Sequence, residues 1–259
     1  MSCFPVRPLW PMSLELSVIV PVKNEMESIP DLACEIETAM GTMDSTWECL
    51  WVDDGSTDRT LAVLENLHKR DSHHHYISLS QNFGQSAAFA TGFIHSRGKL
   101  LITMDGDGQN DPADIPHLTG KLHETGCDMV QGWRKTREDS LVRKISSRIG
   151  NGYRNKLTRD SIRDVGCSLR VMKRQCVENL IAFKGMHRFL PTLVRINGFE
   201  NIIEMPVNHR PRLKGQTKYG IGNRMFVGIK DTFAVRWMAE QLTRPTIRAT
   251  SIVNYRKGE

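Results

Sequence analysis

The sequence predicts an α/β fold, a mostly parallel central sheet flanked by helices, followed by a basic amphipathic helical segment at the C-terminal end. Three observations carry that expectation. Between residues 14 and 132, five short apolar or β-branched runs alternate with stretches of helical length, the pattern of βαβ units with right-handed crossovers. Each of the first four runs ends in a polar loop, and in such sheets ligands bind beyond the carboxyl ends of the strands. The fourth run leads straight into Asp105-Gly106-Asp107-Gly108-Gln109, two carboxylates two residues apart among glycines.

Taken in order, Leu16–Val22 is the first strand, closed by the loop Pro21-Val22-Lys23-Asn24-Glu25, and a helix follows from Ile29 to about Met43. Trp47–Asp53 is the second strand, and Ser56 or Thr57 is expected to cap a helix that runs to about Arg70. His73-His74-His75 reads as a turn ahead of the third strand, Tyr76–Ser80, and not as a metal site. Gln81-Asn82-Phe83-Gly84 leads into a small-residue helix over Gln85–Ser96. Lys99–Met104 is the fourth strand, apolar enough to be buried on both faces. Pro112 precedes a helix over Ala113–Thr125, and Cys127–Gly132 is the fifth strand. Leu141–Leu157 can form a helix with Arg143 and Ser147 on one face.

Composition excludes several classes. A chain of 259 residues, 39% hydrophobic and 25% charged, is globular and long enough for a full core. The six cysteines form no C-x-x-C pair and lie far apart, which argues against a disulfide frame or zinc site and for a reducing compartment. Residues 1–13, with three prolines, read as a flexible tail without a signal peptide, and no run of about 18 uncharged apolar residues spans a bilayer. There is no G-x-x-x-x-G-K-[ST] and no G-x-G-x-x-G, so neither a P-loop nor a dinucleotide fold is indicated.

Charge divides the chain in two. Residues 1–130 carry 8 Lys+Arg against 19 Asp+Glu (net −11), and residues 131–259 carry 27 against 10 (net +17). In an extended segment Asp105 and Asp107 point the same way, so both can face one bound group. An all-oxygen cluster of that kind suits Mg²⁺ or Mn²⁺ carrying phosphate oxygens, although an Asp- and Gly-rich turn after a buried strand looks the same in isolation. Phosphates would otherwise fall to the cations of the second half: Arg134, Arg143, Arg174, His187, Arg188, and the loop 210–220 with four more. The aromatic interleaving needed for base stacking is thin, which argues against a nucleic-acid partner.

Eight segments in a fixed order carry a family resemblance: PVKNE (21–25), DDGSTD (53–58), QNFGQSAA (81–88), DGDGQNDP (105–112), GWR (132–134), DVGCSLR (164–170), HRFLP (187–191) and RLKGQTKYG (212–220). Over roughly residues 14–222 the chain resembles family 2 glycosyltransferases of the Rossmann-like GT-A fold. It is most similar to the polyprenyl-phosphate glycosyltransferases, which include the dolichyl-phosphate mannose synthases. The resemblance implies that Pro21, Glu25, Asp53 and Asp105 bind a UDP- or GDP-sugar, and that Asp105, Asp107 and Gln109 hold the metal. It also implies that Arg134, Arg143, Ser147 and Arg212 gather around the acceptor phosphate and the donor pyrophosphate. Lys218 would add charge on a mobile loop that closes over the site. Asp105, Asp107, Arg134 and Arg212 are then the expected catalytic residues, and the reaction is an inverting transfer to a dolichyl or undecaprenyl phosphate.

The acceptor class also follows from proton chemistry. A lipid phosphate, with a second pKa of about 6, is already anionic near neutrality and needs alignment, not a general base. A sugar hydroxyl would need a carboxylate base. Relatives that build cell-envelope polysaccharide on hydroxyls usually carry a Glu-Asp base motif and a Q-x-x-R-W motif, but here Phe233 stands where that glutamine would be. A hydroxyl of a glycan or lipid is the alternative acceptor. Residues 210–259 hold 11 Lys+Arg against 3 Asp+Glu, and Phe226, Ile229, Phe233 and Trp237 recur at helical spacing. Residues 223–259 therefore read as an amphipathic helix and basic tail. That segment either packs on the catalytic domain or lies on an anionic leaflet. The expected location is cytoplasmic, peripheral at the cytoplasmic face of a membrane, directly or through a membrane partner subunit.

Overall fold

The computed structural model describes residues 13–135, 152, 154, 155, 157, 158, 160–211 and 222–241. Its centre is a seven-stranded sheet in the order β3-β2-β1-β4-β6-β5-β7. The strands are β1 (Leu14–Val22), β2 (Trp47–Asp53), β3 (His74–Ser78), β4 (Gly98–Thr103), β5 (Met129–Arg134), β6 (Arg170–Lys173) and β7 (Ile202–Val207). Helices α1 (Ile29–Gly41), α2 (Thr60–Arg70), α3 (Gln85–His95) and α4 (Ile115–Thr125) form the crossovers expected of a parallel sheet. α5 (Leu190–Ile196) and α6 (Gly222–Gln241) follow in the second half.

Alternation along β1 builds both layers. Val18, Val20 and Val22 face α1, α2 and α4 in one buried cluster, while Ile19 joins Phe89 and Phe93 of α3, Leu190 of α5 and Val235 of α6 in the other. Every one of these side chains is at most 3% exposed. The expected fold class stands, with three corrections of detail. Two strands, β6 and β7, were not legible, and β6 runs antiparallel between β4 and β5, so the fourth and fifth strands are not neighbours. β3 begins two residues earlier than expected and takes in His74, which is 1% exposed, and His75.

The third correction concerns the start of α2. Ser56 and Thr57 do not cap it: the N-cap is Arg59, and Asp58 accepts the Thr60 amide at 3.0 Å. Ser56 instead donates to Asp53, and the Thr57 amide bonds Asn24. On α6, Val235 and Thr232 are buried while Phe233 and Trp237 of the amphipathic stripe are exposed. None of the described helices is long and apolar enough to cross a membrane. Within the expected helix Leu141–Leu157, residues 152, 154, 155 and 157 are helical, and the positions carrying Arg143 and Ser147 lie outside the described residues.

Candidate active site

The loop after β4 is braced from beneath. The Asp105 amide donates to Asn110 Oδ1 at 3.0 Å, and the same oxygen accepts Ser168 Oγ at 2.8 Å. A Cβ on Gly106 would lie 2.5 Å from Val22 Cγ1 and 2.9 Å from the Pro21 carbonyl, so glycine is what lets this turn lean on the end of β1. Pro21 is thereby brought against the Asp105–Asp107 turn. Gln85, the first residue of α3, donates to Asp105 Oδ1 at 2.6 Å. Asp107 Oδ1 accepts the Gln109 amide at 3.2 Å, and Gln109 Nε2 reaches the Arg210 carbonyl at 3.4 Å.

Burial, and then the charge of Asp107, push Asp105 up from the ordinary 3.8 to about 6. A carboxylic acid whose pKa is higher folded than unfolded stabilises the fold below about pH 4, and that contribution is lost as pH rises through 6. Ionised Asp105 therefore costs the metal-free fold on the order of 2 kcal/mol at neutral pH. We expect Asp105→Asn to raise the melting temperature of metal-free protein at pH 7.5 by several degrees. The gain should shrink as pH falls through 6 and vanish below about pH 4. Melts showing no stabilisation at pH 7.5 would remove this account of the site.

The other nucleotide-side candidates sit on the ends of β1 and β2. Asp53, 1% exposed, accepts the Ser56 amide and hydroxyl on one oxygen and Ser78 Oγ (2.8 Å) on the other, so it organises its own loop. Asp54 accepts the amides of Phe83 (2.7 Å) and Gly84 (2.9 Å), which locks the β2 loop to the approach to α3. Glu25 receives Ser28 Oγ at 3.0 Å at the start of α1. Pro21, Glu25, Asp53, Asp105, Asp107 and Gln109 thus gather at one edge of the sheet.

Arg134, at the end of β5, reaches the same edge from the basic half. Asp164 grips it in a fork, Nε to Oδ2 at 2.7 Å and Nη2 to Oδ1 at 2.8 Å, and the guanidinium lies over Gly166. Burial pulls the Arg134 pKa down, but the hydrogen bond and charge of Asp164, with Asp105 adding, leave it above the ordinary arginine value. The charge of Asp105 acts on Arg134, which places the expected cation within electrostatic reach of the expected metal ligand. Arg143, Ser147, Arg212 and Lys218 lie outside the described residues.

Two other cations have their guanidiniums engaged in the fold. Arg174 is buried and bonds the carbonyls of Gly98 (2.7 Å) and Phe93 (3.1 Å) and Ser96 Oγ (3.0 Å). It closes the C-terminal end of α3 at the opposite edge, where a guanidinium satisfies the last carbonyls. Arg210 bridges Glu35 and Asp111. Glu37, Asp71 and His74 could converge on an ion by distance alone. The Trp51 indole, a donor only, bonds His74 Nδ1 at 3.0 Å, so Nε2 carries the proton that goes to Glu37 at 3.0 Å. A protonated Nε2 has no lone pair for a metal, and the trio is structural.

Sequence reasoning missed Gln85, Asp164, Ser168 and Arg170. All four stand inside quoted segments, but nothing in their spacing marks them: Asp164 is 30 residues from the arginine it holds, and Gln85 is 20 from Asp105.

Comparison with known proteins identifies the family and the fold. The family described as glycosyl transferase family 2 matches residues 17–181. A dodecaprenyl-phosphate galacturonate synthase of Rhizobium johnstonii is 39% identical over 236 residues, covering 90% of this chain and 70% of that protein. An undecaprenyl-phosphate 4-deoxy-4-formamido-L-arabinose transferase of Salmonella choleraesuis is 38% identical over 206 residues, covering 79% of this chain and 62% of that protein. Among solved structures, glucosyl-3-phosphoglycerate synthase from Mycobacterium tuberculosis, in complex with Mn²⁺, UDP and glucosyl-3-phosphoglycerate, shares the fold at TM-score 0.63. That match has 17% identity and covers 90% of this chain and 85% of the other.

Proposed function

We propose that this chain, which belongs to glycosyl transferase family 2, moves a sugar with inversion from a UDP- or GDP-sugar to a polyprenyl phosphate. The observation that carries this reading is the meeting of the Asp105–Asp107 carboxylate pair with Arg134 at one sheet edge. The two relatives named above, one a dodecaprenyl-phosphate synthase and one an undecaprenyl-phosphate transferase by name, support the acceptor class.

The residues present fit a divalent cation. Asp107 raises Asp105, so the pair repels itself and gains from a cation between its members, and the donors are carboxylate and amide oxygens alone. Asp105, Asp107 and Gln109 would hold Mg²⁺ or Mn²⁺, which when bound supplies charge neutralisation to a leaving diphosphate. Pro21, Glu25 and Asp53 hold the nucleoside at the ends of β1 and β2. Arg134, with Arg143, Ser147, Arg212 and Lys218 from the basic half, aligns the acceptor phosphate and shares the diphosphate charge. No base is required of the protein, and the carboxylate beside Arg134 supports this: both Asp164 oxygens are bound to the guanidinium. Acceptance of a glycan or lipid hydroxyl would need a free base there.

The test is a donor screen with Mn²⁺ and a short polyprenyl phosphate, reading released UDP or GDP and the acid lability of the product. A glycosyl phosphate is cleaved by mild acid. A product that survives it points to a hydroxyl acceptor and ends this reading.

The reading extends to location at the cytoplasmic face of a membrane, where such an acceptor lies. Phe233 (51% exposed) and Trp237 (63% exposed) stand one turn apart on α6 beside exposed Lys230 and Arg236, an aromatic and cationic stripe suited to an anionic interface. Joint replacement of Phe233 and Trp237 by alanine should weaken sedimentation with anionic vesicles about tenfold or more. Turnover of a short, water-soluble acceptor should be unchanged. Equal loss on both acceptors would place the stripe in the fold and not at the lipid.

A further inference from the structure

Arg170 opens β6 between the two strands that deliver the site. Its register partners are Thr103 of β4, two residues before Asp105, and Gln131 of β5, three before Arg134. It is 2% exposed, and its guanidinium donates to Gln131 Oε1 (2.7 Å), the Val165 carbonyl (2.9 Å) and the His187 carbonyl (3.2 Å). All three acceptors are neutral. Among the described residues no carboxylate hydrogen-bonds to this arginine, although Asp105 and Asp164 lie within the range of its charge. Burial draws its pKa down to about 10, so it is still a cation at neutral pH.

A buried, unpaired charge costs the fold several kcal/mol, and hydrogen bonds to neutral groups offset only part of that. An apolar side chain would fill the same place at less cost. What the arginine adds is a link and a field. Through Val165 it grips the residue next to Asp164, which holds Arg134. Through His187 it reaches the segment whose ring nitrogen and amide bond Ser86, next to the Gln85 that holds Asp105. Ser86 Oγ accepts the amides of Gly185 and His187, so its own proton goes to His187 Nδ1, and the contact is a directed one.

We propose that Arg170 is the positioning residue of this site: one buried guanidinium spaces the Asp105–Gln85 side from the Arg134–Asp164 side, and its charge, hydrogen-bonded to neutral groups alone, strengthens binding of the donor's diphosphate. The proposal rests on the reading of the site as a nucleotide-sugar site, and the experiment separates the two. Wild-type protein with Mn²⁺ is titrated with UDP and GDP, and the better ligand is carried forward with its parent nucleoside. Binding of neither diphosphate would defeat the functional reading itself.

R170Q, which keeps donors but loses the charge, should bind the diphosphate about tenfold more weakly while nucleoside affinity is unchanged. R170K, which keeps the charge but not the fork, should hold diphosphate affinity within about threefold and lose about tenfold or more in kcat. Melting curves check that both fold. R170Q with wild-type diphosphate affinity, or with diphosphate and nucleoside affinity reduced alike, overturns the proposal. If R170Q does not fold, R170K decides: retained diphosphate affinity with reduced kcat supports it, while wild-type kcat, or parallel loss of diphosphate and nucleoside binding, overturns it.

Discussion

Replacing Asp107 by alanine is expected to leave a folded protein whose nucleotide-sugar turnover falls by about a thousandfold or more. The stabilisation at risk is the charge neutralisation of the leaving diphosphate, several kcal/mol, and each 1.4 kcal/mol is tenfold in rate. The fold should not suffer. Asp107 sits half-buried in a turn, and its removal takes away a like charge that raises Asp105. Stability of the metal-free protein at pH 7.5 should therefore be unchanged or slightly higher. Excess chelator should bring the wild type to the same low rate. Turnover within tenfold of wild type in the variant, or full turnover in chelator, would mean that the paired aspartates are not the catalytic centre.

Removing Asp164 is expected to carry the largest stability penalty at the site. The Arg134 and Asp164 side chains are 15% and 9% exposed, so alanine at 164 leaves a poorly hydrated guanidinium without its fork. Breaking such a pair from one side costs about 3–5 kcal/mol when fully buried, and about 2–3 kcal/mol is reasonable at this exposure. The melting temperature should fall by roughly 5–10 °C. A double-mutant cycle gives the sharper test. If the two act as one unit, Asp164→Ala with Arg134→Ala should be no less stable than the worse single variant. Independent losses that add would show the fork to be incidental. Acceptor affinity should also drop in Asp164→Ala, because Arg134 is no longer held toward Asp105, and Asp164→Asn should recover part of it.

Much of the architecture could be read without coordinates. The β-branched run Leu16–Val22 marked β1, and the loops after β1, β2 and β4 fall at one sheet edge because parallel strands put their carboxyl ends together. Asp105 and Asp107 stood out as a candidate pair because their chemistry is local: a strand end and two carboxylates among glycines, with Gln109 added only by the family resemblance. β6 escaped because four residues, RVMK, show no period, and its antiparallel pairing to β4 and β5 depends on partners far away in sequence.

The cations divide on the same ground. Sequence alone determined that the second half is basic and that the aspartate pair follows a buried strand. Only the tertiary structure decided that Arg134 is held by Asp164 at the end of β5, that Arg174 closes α3 at the far edge, and that Arg170 is buried between β4 and β5 against neutral acceptors. Periodicity and turn chemistry act within about a dozen residues. A guanidinium's task depends instead on which end of the sheet its strand delivers it to, and that is settled by chain pairing across 30 residues or more.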